Sequence, residues 1–143
     1  MPIVTYDPQR VIVTISDDTT TNIISGFADG TFVTVERASE AFTKVVGAYG
    51  EVTRVKSADR SGSMTLTLLQ SSNSNLVLNS LANRDQVDGT GVVSIQVKDP
   101  TTKALVVAAE GWIQKKPNLE LGTEISNRDW VFDLATVEID HGV

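Results

Sequence analysis

Short runs rich in Val, Ile, Thr and aromatic residues, broken at intervals by turn residues, dominate this chain. That is the pattern of β-strands. Val11-Ile12-Val13-Thr14-Ile15 is apolar at both alternating sets of positions, which predicts a strand buried on both faces, with a turn following at Ser16-Asp17-Asp18. Residues 22–27 and 31–35 flank Ala28-Asp29-Gly30. Asp-Gly between two β-prone runs predicts a hairpin, because a primed turn needs positive φ. From Ser63 to Leu69, Met64, Leu66 and Leu68 alternate with Ser63, Thr65 and Thr67, the period of a half-buried strand. Residues 92–98 alternate likewise, Asp99-Pro100-Thr101-Thr102 reads as a turn whose proline fixes φ, and 103–115 reads as a long returning strand carrying Trp112. In the last run, 127–139, Arg128, Trp130, Phe132 and Leu134 share a face before the apolar phase passes to Ala135, Val137 and Ile139. A phase switch of this kind predicts a bulge near Leu134. Trp112 and Trp130 both lie in apolar period-two runs and are expected in the core.

Two segments break the β pattern. Ser71 to Asn75 offers helix N-cap groups, and Leu76, Val77, Leu78 and Leu81 follow at helical spacing, which predicts one helix at about 73–83. Asp88-Gly89-Thr90-Gly91 ends that connection. The second segment, at about 38–61, carries Glu40, Lys44, Glu51, Arg54, Lys56, Asp59 and Arg60, together with Gly47, Tyr49 and Gly50. It fits a helix followed by a strand, or a long projecting hairpin with Gly47 to Gly50 near its tip. The projecting arm is the preferred reading, and an arm with few contacts to its own body needs a partner surface to order it. The expected fold is therefore mainly β, an antiparallel β-sandwich or barrel with one α-helix and a long protruding loop, built as a single domain over residues 1–143.

Composition narrows the functions open to such a fold. The chain has 143 residues, no cysteine, one histidine, and a formal charge of −6. Disulfides and thiolate metal sites are excluded. His141 stands near the C-terminal end, a poor place to hold a general base, so a Ser–His–Asp set or a zinc site is not expected. The pairs Asp17/Asp18, Glu120/Glu124 and Glu138/Asp140 read as solvated acids, and no phosphate-binding glycine motif occurs. We expect no enzyme, cofactor or metal. An acid-pair hydrolase and a carbohydrate-binding sandwich remain as alternatives, the second weakened by a content of only two Trp and two Tyr. An acidic chain does not read as a nucleic-acid binder. Arg54, Lys56 and Arg60 form the densest basic patch, but acids interleave among them, so they read as partners in ion pairs between subunits. The longest apolar run, Ala104 to Ala109, falls far short of the ~20 residues that span a bilayer. The stretch Met1 to Asp7 lacks a basic region followed by an apolar one, so no signal peptide is expected.

Certain runs, taken in their order along the chain, carry a family resemblance. Residues 50–68, GEVTRVKSADRSGSMTLTL, are followed by Gln70-Ser71-Ser72-Asn73-Ser74-Asn75; Asp29-Gly30-Thr31-Phe32-Val33 stands upstream and Asn127-Arg128-Asp129-Trp130-Val131-Phe132 near the end. In order and total length these pieces resemble the tail-tube structural proteins of contractile-tail bacteriophages, the myoviruses. The resemblance implies hexameric rings stacked into a hollow tube, strands shared between neighbours around an acidic lumen, and a long loop reaching the adjacent ring. It implies sheath, tape-measure, baseplate and tube-terminator proteins as partners, with DNA as non-specific cargo, and a place in the virion tail after assembly in the host bacterial cytoplasm. Another ring protein of the tail, a tube terminator or baseplate hub, is the near alternative. On this reading Glu40, Lys44, Tyr49, Glu51, Arg54, Lys56, Asp59 and Arg60 are the candidate contacts between subunits or rings. Six copies at −6 each would give a ring −36, and acid facing the bore would repel phosphate and ease its passage.

Overall fold

A computed structural model of the chain describes residues 3–142, so the ends of the sequence reading, at Met1, Pro2 and Val143, lie outside it. Nine strands and one helix follow in the order β1 (Ile12–Ser16), β2 (Thr21–Ile24), β3 (Val33–Arg37), β4 (Phe42–Val46), β5 (Val52–Lys56), β6 (Gly62–Leu69), α1 (Ser74–Asp88), β7 (Val93–Asp99), β8 (Ala104–Lys115) and β9 (Asn127–Asp140). Seven strands form one antiparallel sheet in the order β2-β1-β7-β8-β9-β6-β3, while β4 and β5 pair only with each other. The fold is mainly β and antiparallel, with a single α-helix among the described residues and a short 3-10 turn at Pro8–Arg10.

The large sheet is rolled rather than flat. Ile24 ends β2 at one margin, yet Phe27 already bridges Leu68 of β6 near the other. Three residues span at most about 11 Å, so the two margins must approach each other there. Ser72 and Ser74 lock this junction: the Ser72 hydroxyl donates to the Ser25 carbonyl at 2.6 Å, and Ser74 Oγ accepts the Ser25 N–H at 3.0 Å. Elsewhere the seam stays open as a cleft of about 450 Å³, where Val33 and Val35 of β3 face Val11, Val97 and Val106.

Inside the roll lies one core. Met64, Leu66 and Leu68 of β6 meet Val13 and Ile15 of β1, Ile95 of β7 and Trp130, Phe132 and Leu134 of β9, and α1 closes the interior with Leu78, Leu81 and Ala82. Burial of this kind contributes about 1.5–3 kcal/mol per large side chain. The helix is tied at both ends. Asn75 Oδ1 accepts the Trp130 indole N–H at 2.9 Å, and Arg84 pairs with Asp17 at 3.0 Å. The Thr20 and Thr19 N–H groups, with Arg84 behind them, hold the Asp17 carboxyl well below the usual carboxylate range, which fixes the β1–β2 turn.

Four expectations change. Asp29-Gly30 does not make a hairpin, because β2 and β3 lie at opposite ends of the strand order. Thr67 of β6 instead accepts from Ala28 N–H at 3.0 Å and donates to the Phe32 carbonyl at 2.9 Å, so residues 29–31 bulge out of one edge strand. The β1 strand is buried on one face only: Val13 is fully buried while Ile12 is 45% exposed. Trp112 is half-buried on the outer face opposite Asp133, whereas Trp130 does lie in the core. The helix runs five residues past 83, and polar contacts from Arg84 and Asp85 rather than apolar spacing hold its last turn. The bulge near Leu134 is present: the β8–β9 register shifts between Ala108 and Gly111, and burial on β9 passes from Leu134 to Val137.

Gly62 shows how tightly the edge is packed. A Cβ there would collide with the Glu36 carbonyl oxygen of β3 and lie 2.8 Å from Val137 Cγ1. Gly62→Ala should cost about 1–3 kcal/mol, as overpacking does. Urea denaturation followed by circular dichroism measures it, and an unchanged midpoint would mean that β3 is free to move aside.

Candidate assembly surface

The β4–β5 hairpin is the most exposed structure in the molecule. All nineteen residues from 38 to 56 are exposed. Its tip is a tight turn in which Gly47 N–H donates to the Glu51 carbonyl at 2.7 Å and Gly50 N–H to the Gly47 carbonyl at 3.1 Å. Gly50 sits at φ +90°, a conformation glycine adopts without a Cβ penalty. Tyr49 stands at the tip, 95% exposed. The projecting hairpin, rather than a helix and strand, is thus the form this segment takes.

Strand pairing sorts its side chains. Residues directly opposite in an antiparallel pair share a face. Phe42 faces Lys56, Lys44 faces Arg54 and Val46 faces Val52, so one face carries all three cations and an apolar pair. Thr43, Val45, Thr53 and Val55 form the other. The mixed charge of the sequence therefore resolves in space, with Lys44, Arg54 and Lys56 along one face, Glu51 in the tip turn, and Glu40 and Asp59 toward the root. Arg54 lies over the Phe42 ring at 4.5 Å.

Two of the candidate contact residues serve the chain itself. Arg60 is ion-paired with Glu138 of β9. Asp59 accepts from the Ser39 hydroxyl at 2.6 Å, the Ser61 hydroxyl at 2.6 Å and the Ser61 N–H at 3.0 Å. These donors, Ser39 foremost, hold the Asp59 carboxyl down at about 2. Both residues brace the root of the hairpin. Glu40, Lys44, Tyr49, Glu51, Arg54 and Lys56 make no hydrogen bond or ion pair to the rolled sheet among the described residues.

The remaining features of the surface are the sheet margins and its outer face. The outer edges of β2 and β3 have no neighbouring strand. On the outer face, Glu36, Glu110, Asp129, Asp133, Glu138 and Asp140 outnumber Lys98 and Lys115, among Ser63, Thr65, Thr67, Ser94 and Gln96. Sequence periodicity separates this face from the core, but it does not show that the acids of distant strands gather on it. Among the described residues no group of three or more His, Cys, Asp or Glu is placed to hold a metal ion, and no helix is long and apolar enough to cross a membrane. His141 is exposed at the rim of the seam cleft.

The fold is shared with solved tube and terminator assemblies of contractile injection systems. The tube-terminating cap of the anti-feeding prophage superposes with a TM-score of 0.63 at 13% identity, over 99% of this chain and 95% of that one. A chain of the sheath–tube complex of the extracellular contractile injection system PVC superposes at 0.59, also at 13% identity, over 96% and 92%. The chain belongs to the bacteriophage PhiTE tail tube protein family, whose model matches residues 5–142. Structural protein ORF10 of Pseudomonas phage KPP10 is 30% identical over 142 residues, 96% of this chain and 82% of that protein. The chain is thus a viral structural protein of the phage tail, as its tail-tube resemblance implies.

The root of the hairpin should respond to acid. Asp59 titrates lower in the folded chain than its ordinary value of 3.8, so its contribution is complete above about 3.8 and is lost as pH falls through about 2. Limited proteolysis within 40–58 should accelerate over that window, and Asp59→Asn should show the faster cleavage already at pH 7. Equal cleavage rates for the two proteins at pH 7 would show that Asp59 does not hold the root.

Proposed function

We propose that this protein is the tube subunit of a contractile phage tail, forming hexameric rings that stack into the conduit for DNA. The observation that carries the reading is the hairpin: a segment this long, without apolar cover, gains a structured environment only from a partner. The unpaired edges of β2 and β3 favour the same conclusion, since an open edge is a hazard in a monomer and a joint in an assembly. Within a ring, neighbouring copies join at these margins. Between rings, the hairpin makes the contact through Glu40, Lys44, Tyr49, Glu51, Arg54 and Lys56.

The outer face of the sheet lines the bore on this reading. Its carboxylates repel phosphate, so the strand passes with no contact to break. Sheath, tape-measure, baseplate and terminator proteins are the further partners, the virion tail is the place of action, and assembly takes place in the host bacterial cytoplasm. A structural role of this kind needs no catalytic residues. The likeness to a tube-terminating cap at 0.63 favours a second reading, in which the chain closes the tube instead of extending it.

Electron microscopy over a concentration series tests the proposal. The full chain should form rings and tubes, and deletion of residues 42–56 should leave a folded body that forms rings without tubes. Tubes from the deleted protein would remove the inter-ring role of the hairpin. Single capped rings from the intact protein, and no tubes at any concentration, would support the terminator reading instead.

A further inference from the structure

The hairpin has a matching surface at the far end of the same molecule. It leaves the body beside Gly62, where β6 begins. At the other end of β6, Leu69 pairs with Asn127, and the loop 117–126 runs directly into Asn127. β6 is eight residues long, which separates the two sites by about 23 Å along the strand. The loop exposes Leu119 at 76%, Leu121 at 74% and Ile125 at 68%, interleaved with Glu120 and Glu124. It is held in place from below. Buried Arg128 donates to Ser126 Oγ at 2.7 Å and to the Glu120 carbonyl at 3.3 Å, and Gln70 Oε1 accepts the Ser126 N–H at 3.2 Å. Lys116, at the loop's start, is taken up by Asn83 Oδ1 at 2.5 Å, while Lys115 lies on the strand before it.

We propose that loop 117–126 is the seat for the cationic face of the β4–β5 hairpin of a second copy, an inference that rests on the inter-ring reading above. Charge divides the molecule accordingly. Lys44, Arg54 and Lys56 against Glu51 leave the hairpin at +2 in a chain of −6, so the rest carries −8. Lys44 stands directly opposite Arg54, a like-charge pair that weakens an isolated hairpin and that an anionic partner relieves. Val46 and Val52, with Tyr49 beyond them, match Leu119, Leu121 and Ile125 in apolar character, while Lys44 and Arg54 meet Glu120 and Glu124. Donor and acceptor lie at opposite ends of the body, so the contact is head-to-tail. A contact of that kind propagates an open stack instead of closing a dimer.

Reciprocal charge exchange tests it. Lys44→Glu/Arg54→Glu and, separately, Glu120→Lys/Glu124→Lys should each raise the concentration needed for tubes by about tenfold or more, with ring formation and circular dichroism retained. Combining all four should restore tubes. If the loop variant forms tubes at the original concentration while deletion of 42–56 blocks them, the seat lies elsewhere and the inter-ring role of the hairpin stands. If the deletion leaves tubes intact, both fail. A combined variant that stays as rings also overturns the pairing. Should a charge variant misfold, cysteine pairs replace it, because the chain has no cysteine of its own. Tyr49→Cys combined in turn with Leu119→Cys, Leu121→Cys and Ile125→Cys should give a ladder of cross-linked chains from oxidised tubes. No ladder from any of the three overturns the proposal.

Discussion

Backbone hydrogen bonding governs this molecule. Every strand of a sheet offers N–H and C=O groups on both edges, and a rolled sheet satisfies them all only if it closes. This one does not close. Its margins come together at Ser25 and Gly26, where two serine hydroxyls hold the junction, and then part along the valine-lined cleft between β3 and the start of β1. The core is nonetheless continuous, and α1 contributes Leu78, Leu81 and Ala82 to it. A stable body and unpaired margins thus coexist. That combination suits the building block proposed above, since an open edge can pair with another chain.

The hairpin follows the same logic at greater distance. Its backbone is satisfied internally by β4 and β5, but its side chains are not covered. Phe42, Val45, Val46, Val52 and Val55 remain 44–61% exposed, and two strands alone cannot make a core. Asp59 and Arg60 fix the root to the body, so the element leaves from a defined position even though its length is bare. Rigidity at the root and exposure along the stem suit a segment that must find a surface on another molecule, since less ordering is required when contact is made.

Charge is distributed in keeping with this division. Cations concentrate on one face of the hairpin, and carboxylates collect on the outer face of the sheet and in the loop before β9. In a chain of net −6 such segregation produces attraction between unlike parts of identical molecules while the acidic faces still repel each other. The chain belongs to a phage tail tube protein family, and the stacking proposed above is where this asymmetry would act.

Much of this was legible in the chain as written. Period-two alternation marked β6, β7 and the first half of β9 because each has one face in the core and one in water, and the phase switch beyond Leu134 marked a real bulge. Glycine and charge in 38–61 marked the hairpin, with Gly47 to Gly50 supplying the tight turn at its tip. Local pattern failed wherever a distant strand decided the outcome. Asp29-Gly30 had hairpin chemistry, yet Thr67 of β6 took its neighbours' backbone groups and turned it into a bulge. Asp59 and Arg60 read in the sequence as contacts between subunits, and nothing local showed that Ser39, Ser61 and Glu138 lie beside them. The last turn of α1 lacked apolar spacing and was held by Asp17, on the far side of the chain. Sequence by itself determined the alternation of buried and exposed positions, since that depends on each residue's own solubility and on the pleat. Tertiary structure alone decided the strand order, the roll, and which charges remain unpaired, because those depend on which backbone edges and side chains meet across long loops.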